Sequence, residues 1–257
     1  MADSTVSSAA ATDKGLRRES NEDAFRERPD LGLYIVADGM GGHEAGEVAS
    51  DLAVRTVEAF INDTRDADLN QTWPYPYDPT HSFDANRLIA AFKLANRRVA
   101  AAIADDAALK GMATTAAAVL LGTNNKGQVA HVGDSRVYRL QDGQLSQLTH
   151  DHSWVGEQVR AGLLTDSDAQ RHPWRNVVTR AIAGGDDPDV EVTEVELADG
   201  DLLLICSDGL SSVVPVDQIE QVLKAATPDL LARAAALIAA ANEAGGPDNI
   251  TVILIQR

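Results

Sequence analysis

The sequence predicts an α+β fold in which antiparallel sheets are covered by helices. Two hairpins support this prediction: predicted strands at 114–121 and 128–132 flank the turn sequence Asn-Asn-Lys-Gly, and strands at 136–140 and 145–148 flank Gln-Asp-Gly-Gln. The helical patterns lie elsewhere in the chain and do not alternate regularly with strands. Because parallel sheets depend on that alternation, its absence favours antiparallel sheets with helices packed on them.

The N-terminal part of the chain contains one predicted strand and two predicted helices. Residues 1–11 are small and polar and predict a flexible tail. An apolar run at 31–37 ends in Asp-Gly, which predicts a buried strand followed by a turn. The spacing of apolar residues predicts helices at 45–60 and 84–104, the second with Asp84 as its N-cap.

The C-terminal part is predicted to contain both further strands and further helices. These elements are strands at 190–197, 202–206 and 251–255 and helices at 216–224 and 229–244. The uninterrupted apolar run at 202–206 predicts a central strand that is buried on both faces. No internal repeat or interdomain linker interrupts the pattern, so residues 12–257 are predicted to form a single domain.

The composition excludes several classes of protein. The 257 residues carry a formal charge of −17, and no cluster of Lys and Arg could bind a phosphate backbone, so nucleic acid is not an expected partner. The single cysteine, Cys206, rules out an intramolecular disulfide and fits a reducing compartment. No apolar stretch approaches the roughly 18 residues of a membrane span, and a secretory signal is not recognisable. We therefore expect a cytoplasmic protein without membrane contact.

Carboxylates stand beside apolar, strand-like runs at several separate places. Asp38 and Asp208 each follow such a run, and Asp248 precedes the last predicted strand. The tripeptide Asn21-Glu22-Asp23 adds two more acids. Carboxylates brought together repel one another unless a cation neutralises them, and oxygen ligands favour magnesium, calcium or manganese. Each Asp-Gly alone is typical of an ordinary turn, but together they predict a hard-metal site built from distant segments.

Several other chemistries are excluded by missing motifs. His43-Glu44 begins like a zinc-protease helix but lacks the second histidine, and no complete dinucleotide, Walker or Gly-x-Ser-x-Gly motif is present. Cys206 lacks the arginine six residues further on that a cysteine-phosphatase loop needs, because Ser212 stands there. Cys206 is therefore predicted to be a small core residue.

Eight short motifs follow one another along most of the chain. They are Gly15-Leu16-Arg17-Arg18, Asn21-Glu22-Asp23-Ala24, Ala37-Asp38-Gly39-Met40-Gly41-Gly42-His43, Gly46-Glu47-Val48-Ala49-Ser50, Gly111-Met112-Ala113-Thr114-Thr115, Val132-Gly133-Asp134-Ser135-Arg136, Ser207-Asp208-Gly209-Leu210 and Gly246-Pro247-Asp248-Asn249. In this order they resemble the motifs of bacterial metal-dependent protein phosphatases, the PPM or type 2C family. The resemblance covers roughly residues 12–257.

The resemblance implies a fold and an activity. The implied fold is a four-layer α-β-β-α sandwich, with two central antiparallel sheets and helices on both outer faces. The implied activity is hydrolysis of phosphoserine and phosphothreonine monoesters by a water or hydroxide that bridges two Mn²⁺ or Mg²⁺ ions. Phosphorylated proteins would be the substrates, including a separately encoded Ser/Thr kinase, and the enzyme would act as a monomer.

The resemblance also assigns metal ligands to particular positions. Asp38 matches the aspartate that bridges both ions in the family pattern, and Asp208 and Asp248 match the two aspartates that bind one of them. Gly39 matches the glycine whose carbonyl binds the other ion, and Glu22 and Asp23 match the pair that supports this ion partly through water. Asp134 matches the ligand of a third ion, and Asn176 is placed near it.

Two further residues acquire roles from the resemblance. Arg18 matches the arginine that binds the substrate phosphate, for which a planar guanidinium is better suited than a lysine; Arg17 is the neighbour with which it could be confused. His43 matches a histidine proposed to protonate the leaving oxygen, with packing of the loop as the alternative.

Two segments depart from the minimal family pattern. The insert Trp73-Pro74-Tyr75-Pro76-Tyr77 is predicted to be a structural cover on the helices rather than a docking element. Residues 151–183 correspond to a variable flap beside the site, either a substrate gate or a helical excursion. Two alternative functions remain open at this stage: a pseudophosphatase that only binds a kinase or regulator, and a hydrolase of small phosphate esters.

Overall fold

The structure, a computed structural model, describes residues 6–41, 45–66, 75–122, 126–225, 227 and 229–257. The strands are β1 (Ser7–Asp13), β2 (Asp23–Arg28), β3 (Leu33–Met40), β4 (Ala113–Thr114), β5 (Ala116–Leu121), β6 (Lys126–Val132), β7 (Arg136–Gln141), β8 (Gln144–Gln147), β9 (Glu191–Glu196), β10 (Leu202–Cys206) and β11 (Ile250–Gln256). The helices are α1 (Ala45–Asp63), α2 (Phe83–Asp105), α3 (Trp154–Arg160), α4 (Asp166–Arg171), α5 (Asp208–Ser211), α6 (Val216–Leu223) and α7 (Leu230–Glu243), with a 3₁₀ turn at Ala107–Leu109.

The strands form two antiparallel sheets. The first has the order β1-β11-β10-β7-β8, and the second has the order β2-β3-β5-β6-β9, with the short β4 paired to β3. The chain crosses from the second sheet to the first between β6 and β7, at Gly133 to Ser135. Both predicted hairpins are confirmed, since β5 pairs with β6 and β7 pairs with β8.

Alternation of side chains along the central strands produces the layers. In β3, Leu33 and Ile35 are buried with residues of α1 and α2, whereas Tyr34 and Val36 are buried in the core between the sheets. Fully burying an aliphatic side chain of this size stabilises a fold by about 1.5–3 kcal/mol, so both faces of the strand contribute.

The first sheet is covered in the same way on its outer face. Leu204 and Cys206 of β10 are buried with Ile219 of α6 and Leu237 of α7, while Leu203 faces the other sheet. Cys206 is therefore a core residue, as predicted, and burial raises the pKa of its thiol to about 12. The α+β prediction and the four-layer α-β-β-α sandwich are confirmed.

The structure corrects the sequence predictions at several boundaries. Residues 7–11 are not a flexible tail: they belong to β1, which pairs with β11 along its length, because β11 is buried except at Gln256 and its backbone needs a partner on both sides. The second helix begins at Phe83, and its N-cap is Ser82 rather than Asp84, because the Ser82 side chain accepts the hydrogen bond from the Ala85 N–H.

The insert before α2 packs as a cover where it is described. Tyr75 is buried with residues of α1 and α2, and the Arg97 guanidinium lies over its ring at 4.3 Å. Trp73 and Pro74 lie outside the described residues, and Tyr77 is more than a third exposed. Within the described ranges, the helices are all too short or too polar to cross a bilayer.

Candidate metal centre and active site

The candidate site lies where the two sheets meet, and strand register places the first pair of carboxylates. Asp23, the first residue of β2, is directly opposite Asp38 in β3. The Asp38 carbonyl accepts hydrogen bonds of 2.9 Å from the Thr115 N–H and from the Thr114 hydroxyl. Asp38 is therefore held by its own strand and by the segment around β4.

The first sheet brings its acids to the same place through Ser207. The Ser207 hydroxyl donates to Asp23 at 2.8 Å and accepts from the Thr251 N–H at 3.0 Å, so one side chain links β10, β11 and β2. Asp208 then begins α5, with Ser207 as N-cap. The sequence pattern alone favoured an ordinary turn at this point.

Close backbone packing fixes Asp208 beside the segment that carries Asp248. A Cβ added to Gly209 would lie 1.9 Å from the Asn249 carbonyl oxygen, so only glycine permits this approach. Asn249 in turn accepts from the Glu22 N–H at 2.8 Å and donates to the carbonyls of Lys14 and Ser20 at 3.0 and 2.9 Å. The Asn249 side chain therefore holds the N-terminal loop against the site.

Sequence reasoning assigned no role to Ser207, Asn249 or Ser50, although all three lie inside the quoted motifs. Ser50 of α1 donates to the Glu22 carbonyl at 2.6 Å and so places the Glu22-Asp23 segment from the other side. The motifs located these residues, but which backbone group each one contacts is visible only in three dimensions.

The clustered carboxylates interact strongly. Burial raises the pKa of Asp38 well above its usual range, and the charges of Asp23 and Asp208 raise it further. Burial is also the main cause that raises the pKa values of Asp23, Asp134 and Asp208 to about 7, 8 and 6, with neighbouring carboxylates adding to it.

Two carboxylate oxygens in this cluster have no hydrogen-bond partner. They are Oδ1 of Asp23 and Oδ1 of Asp208, both buried. A buried oxygen without a partner costs free energy, which a coordinated cation would recover. Oxygen-only donors with raised pKa values fit Mg²⁺ or Mn²⁺ better than zinc or copper.

Arg18 is the cation that reaches this cluster. Its guanidinium donates to Asp248 at 2.7 Å, and its side chain is half exposed. The charges of Asp248, Glu22 and Asp38 all raise the pKa of Arg18, with the hydrogen bond to Asp248 as the main cause. No ion pair or side-chain hydrogen bond of Arg17 is found among the described residues, so the structure distinguishes the two arginines.

The remaining predicted residues that the structure describes lie around this cluster. Gly39 follows Asp38 in β3, and its N–H donates to the Glu22 carbonyl at 3.2 Å. Burial raises the pKa of Glu22, and the charge of Arg18 opposes that shift. Asp134 is buried in the turn after β6. His43 lies outside the described residues, so its role stays a prediction.

A cavity of about 520 Å³ opens beside the carboxylates toward the flap. Asp134 and Asp208 line one part of it, and Arg175 and Asn176 of the flap line another. Asn176 and Asp134 line the same cavity, and a place for Asn176 beside a third ion stays a prediction. The flap contains the short helices α3 and α4, as the interpretation of this segment as a helical excursion expected, although the sequence pattern did not give their bounds.

Comparison with known proteins identifies the family. A family model described as protein phosphatase 2C matches residues 15–244. The serine/threonine phosphatase stp of Listeria monocytogenes is 37% identical over 252 residues, which cover 96% of this chain and 94% of that protein. PstP of Mycobacterium tuberculosis is 38% identical over 247 residues, covering 96% of this chain and 44% of that longer protein.

Solved structures agree with these relatives. The crystal structure of the Mycobacterium tuberculosis phosphatase PstP/Ppp has a TM-score of 0.85 at 35% identity and covers 98% of each chain. A structure of the PstP catalytic domain in complex with two manganese ions has a TM-score of 0.81 at 35% identity, covering 98% of this chain and 97% of that one. The chain therefore belongs to the protein phosphatase 2C family, and it is a serine/threonine protein phosphatase.

Proposed function

We propose that this phosphatase hydrolyses phosphoserine and phosphothreonine monoesters with two divalent cations, Mn²⁺ or Mg²⁺, held by the carboxylate cluster between the sheets. The observation that carries this proposal is the convergence of acids from both sheets, with raised pKa values and two unpartnered oxygens. The two manganese ions in the PstP structure support the same number of ions here. A third ion at Asp134 belongs to the proposal.

The residues of this cluster would have different roles in holding the two ions. Asp38, which interacts with acids of both sheets, would bridge the two ions. Asp208 and Asp248 would bind one ion, and the Gly39 carbonyl would bind the other, supported by Glu22 and Asp23 partly through water. Bound ions would supply Lewis acidity and a nucleophilic water with a lowered pKa.

Arg18 would bind and orient the phosphate. In the structure it neutralises Asp248, and a cation on Asp248 would compete with that ion pair and leave the guanidinium for two phosphate oxygens. His43 would hold the proton that the departing serine or threonine oxygen needs.

We also propose the setting in which the enzyme works. The domain predicted at residues 12–257, extended to residue 7 by β1, would be one catalytic domain that acts as a monomer. It would work in the cytoplasm, a location that the free, buried cysteine supports. Its substrates would be phosphorylated proteins, including a Ser/Thr kinase. Sedimentation of the purified protein tests the monomer, and dephosphorylation of a co-expressed kinase tests the partner.

The activity is tested with a phosphothreonine peptide and purified protein. We expect phosphate release that requires Mn²⁺ or Mg²⁺, disappears with EDTA and is weak with a matched phosphotyrosine peptide, because the ions supply the nucleophile. Release of phosphate is measured with each peptide and with p-nitrophenyl phosphate. Turnover of p-nitrophenyl phosphate alone would favour the small-ester hydrolase, and no turnover with ions bound would favour a pseudophosphatase.

Metal binding should stabilise the protein more at high pH than at low pH. The raised pKa values mean that the folded chain holds protons more tightly than the unfolded chain, so the metal-free fold loses stability as pH rises from about 4 through about 6 to 8. Since Mn²⁺ displaces those protons, we expect a larger rise in Tm at about pH 8 than at about pH 5.

This Tm experiment has a matched pair of variants. Asp208→Asn should reduce both the pH dependence of the metal-free Tm and the increase caused by Mn²⁺. Asp105→Asn, at the exposed end of α2, should change neither. An equal Mn²⁺ effect at both pH values in the wild type would contradict metal binding at raised-pKa carboxylates.

A further inference from the structure

The two ends of the flap (residues 151–183) are joined to each other. The Thr179 N–H donates to the His152 carbonyl at 2.8 Å, and the Trp154 N–H donates to the Val177 carbonyl at 2.8 Å. The flap is therefore closed at its base by a short antiparallel pairing.

One end of this base is connected to Asp38. Ile182 and Thr114 exchange two backbone hydrogen bonds of 2.9 and 3.0 Å, and the Thr114 hydroxyl donates to the Asp38 carbonyl at 2.9 Å. A single residue thus stands between the end of the flap and the central carboxylate of the site.

The other end of the base is connected to Asp134 through His152. The backbone N–H of His152 donates to the Gly133 carbonyl at 2.9 Å, and the backbone N–H of Gly133 donates to the ring Nδ1 of His152 at 3.2 Å. Gly133 has a φ of +106° and a Cβ added to it would lie 2.4 Å from the Thr115 Cβ, so the turn is fixed tightly. Asp134 follows directly and is buried.

These contacts determine the state of the His152 ring. Because Nδ1 accepts from the Gly133 N–H, the proton of the neutral ring is on Nε2, which faces Glu191 at 3.5 Å. The ring is 2% exposed and stacks on His131 with 4.5 Å between centroids. Burial, together with His131 and Arg180, lowers the pKa of His152 to about 4, so the ring is neutral at physiological pH.

Glu191, the first residue of β9, holds this arrangement from the outside. Its two carboxylate oxygens accept from Arg160 of α3 at 2.8 and 3.1 Å, and Arg180 at the end of the flap lies 3.9 Å away. Burial raises the pKa of Glu191, but Arg160 and the two histidines lower it to about 2 overall. One carboxylate of the second sheet therefore contacts α3, the end of the flap and the His152 ring.

The same three residues do not form a second metal site. One ring nitrogen of His131, one of His152 and a Glu191 oxygen lie within 4.8 Å of one another, a spacing that a cation could bridge. However, Nε2 of His131 donates to the His150 carbonyl at 2.8 Å and Nε2 of His152 carries its proton, so neither offers a lone pair. The near-parallel stacking of the rings also prevents both from pointing at one ion.

We propose that His152 is a positioning residue: its Nδ1, held in place by Glu191, fixes the Gly133-Asp134 turn and links the position of the Asp134 carboxylate to that of the flap. The proposal rests on the proposed function in so far as Asp134 binds a divalent ion there. Its consequence is that ion binding at Asp134 and the environment of the flap tryptophans change together.

The experiment uses the full chain with Trp73→Phe, so that fluorescence comes only from Trp154 and Trp174 of the flap. Mg²⁺ is titrated, because it does not quench fluorescence, and the part of the response that Asp134→Asn removes is assigned to the Asp134 site. Three variants are compared. His152→Leu cannot accept from the Gly133 N–H, His152→Asn offers Oδ1 at the place of Nδ1, and His150→Ala removes an exposed ring that also faces Glu191, at 3.9 Å.

We expect His152→Leu to raise the Mg²⁺ midpoint of the Asp134-dependent response about 10-fold, as the loss of one buried hydrogen bond predicts. His152→Asn should restore the midpoint to within about 3-fold, and His150→Ala should leave it unchanged. If His152→Leu does not fold, Glu191→Gln is used instead and should raise the midpoint in the same direction.

Three results would overturn the proposal. They are an unchanged midpoint in a folded His152→Leu protein, a His152→Asn protein as defective as the leucine variant, or a wild-type response that Asp134→Asn does not alter. Failure of the proposed function is distinguishable, because a wild type that shows the predicted Mg²⁺ response but hydrolyses no phosphopeptide would refute the activity and leave the positioning role standing.

Discussion

Replacing Asp38 with asparagine is expected to abolish phosphatase turnover while making the metal-free protein more stable. The loss of the bridging carboxylate should lower kcat by at least about 1,000-fold, which corresponds to about 4 kcal/mol of transition-state stabilisation. Without metal, the same change removes the central charge of a cluster in which burial and like charges disfavour ionisation.

The two effects are measured on one preparation. Phosphate release from a phosphothreonine peptide gives kcat, and thermal unfolding in EDTA at about pH 8 should show a Tm higher by roughly 4 °C, or about 1–2 kcal/mol for a chain of this size. Asp105→Asn at the end of α2 is the matched control and should change neither quantity. A fully active Asp38→Asn protein would contradict the bridging role, and a lower metal-free Tm would contradict the electrostatic argument.

Replacing Arg18 with alanine is expected to lower kcat/KM by about 100- to 1,000-fold with little change in stability. A guanidinium that binds two phosphate oxygens makes two charge-assisted hydrogen bonds, each worth about 1.5–3 kcal/mol. The ion pair that the substitution removes is half exposed on the arginine side, and such pairs contribute about 0–1 kcal/mol to folding. Steady-state kinetics and thermal unfolding in Mn²⁺ check both statements.

The neighbouring arginine provides the control. Arg17→Ala should keep kcat/KM within about 3-fold, because Arg17 has no ion pair within the described part of the chain, and screening weakens exposed charges. Arg18→Lys should recover only part of the loss, because an ammonium cannot bind two oxygens in one plane. Equal losses in Arg17→Ala and Arg18→Ala would show that general positive charge, rather than one fork, binds the phosphate.

Sequence patterns predicted the strands in which apolar and polar residues alternate or in which an apolar run is uninterrupted. The apolar run at 202–206 corresponds to β10 residue for residue, because a strand that is buried on both faces is apolar at every position. β1 and β2 were missed because edge strands need little hydrophobicity: the first has alanine as its only apolar residue type, and the second carries four charged residues in six. Their pairing partners, β11 and β3, supply the apolar surface that they lack.

The site was predictable to a different degree. The acids could be found because each stands beside a strand and inside a recognisable motif, and the structure brings five of them into mutual interaction. The supporting contacts of Ser207, Asn249 and His152 could not be predicted, because each joins segments more than a dozen residues apart in the chain, and each of the three side chains accepts a hydrogen bond from a backbone N–H.

The location of the centre at the junction of two sheets has a consequence for how the molecule tolerates change. Asp38 belongs to one sheet, whereas Asp208 and Asp248 lie beside the ends of β10 and β11 in the other, and Tyr34, Leu203 and their neighbours fill the core between the sheets. The ions would bind acids from both sides of this core, so the distance between the sheets would set the distance between the ligands. Residues of the outer helices that do not contact the site can therefore vary, but a sheet displaced by the width of a methyl group would misalign the ligands.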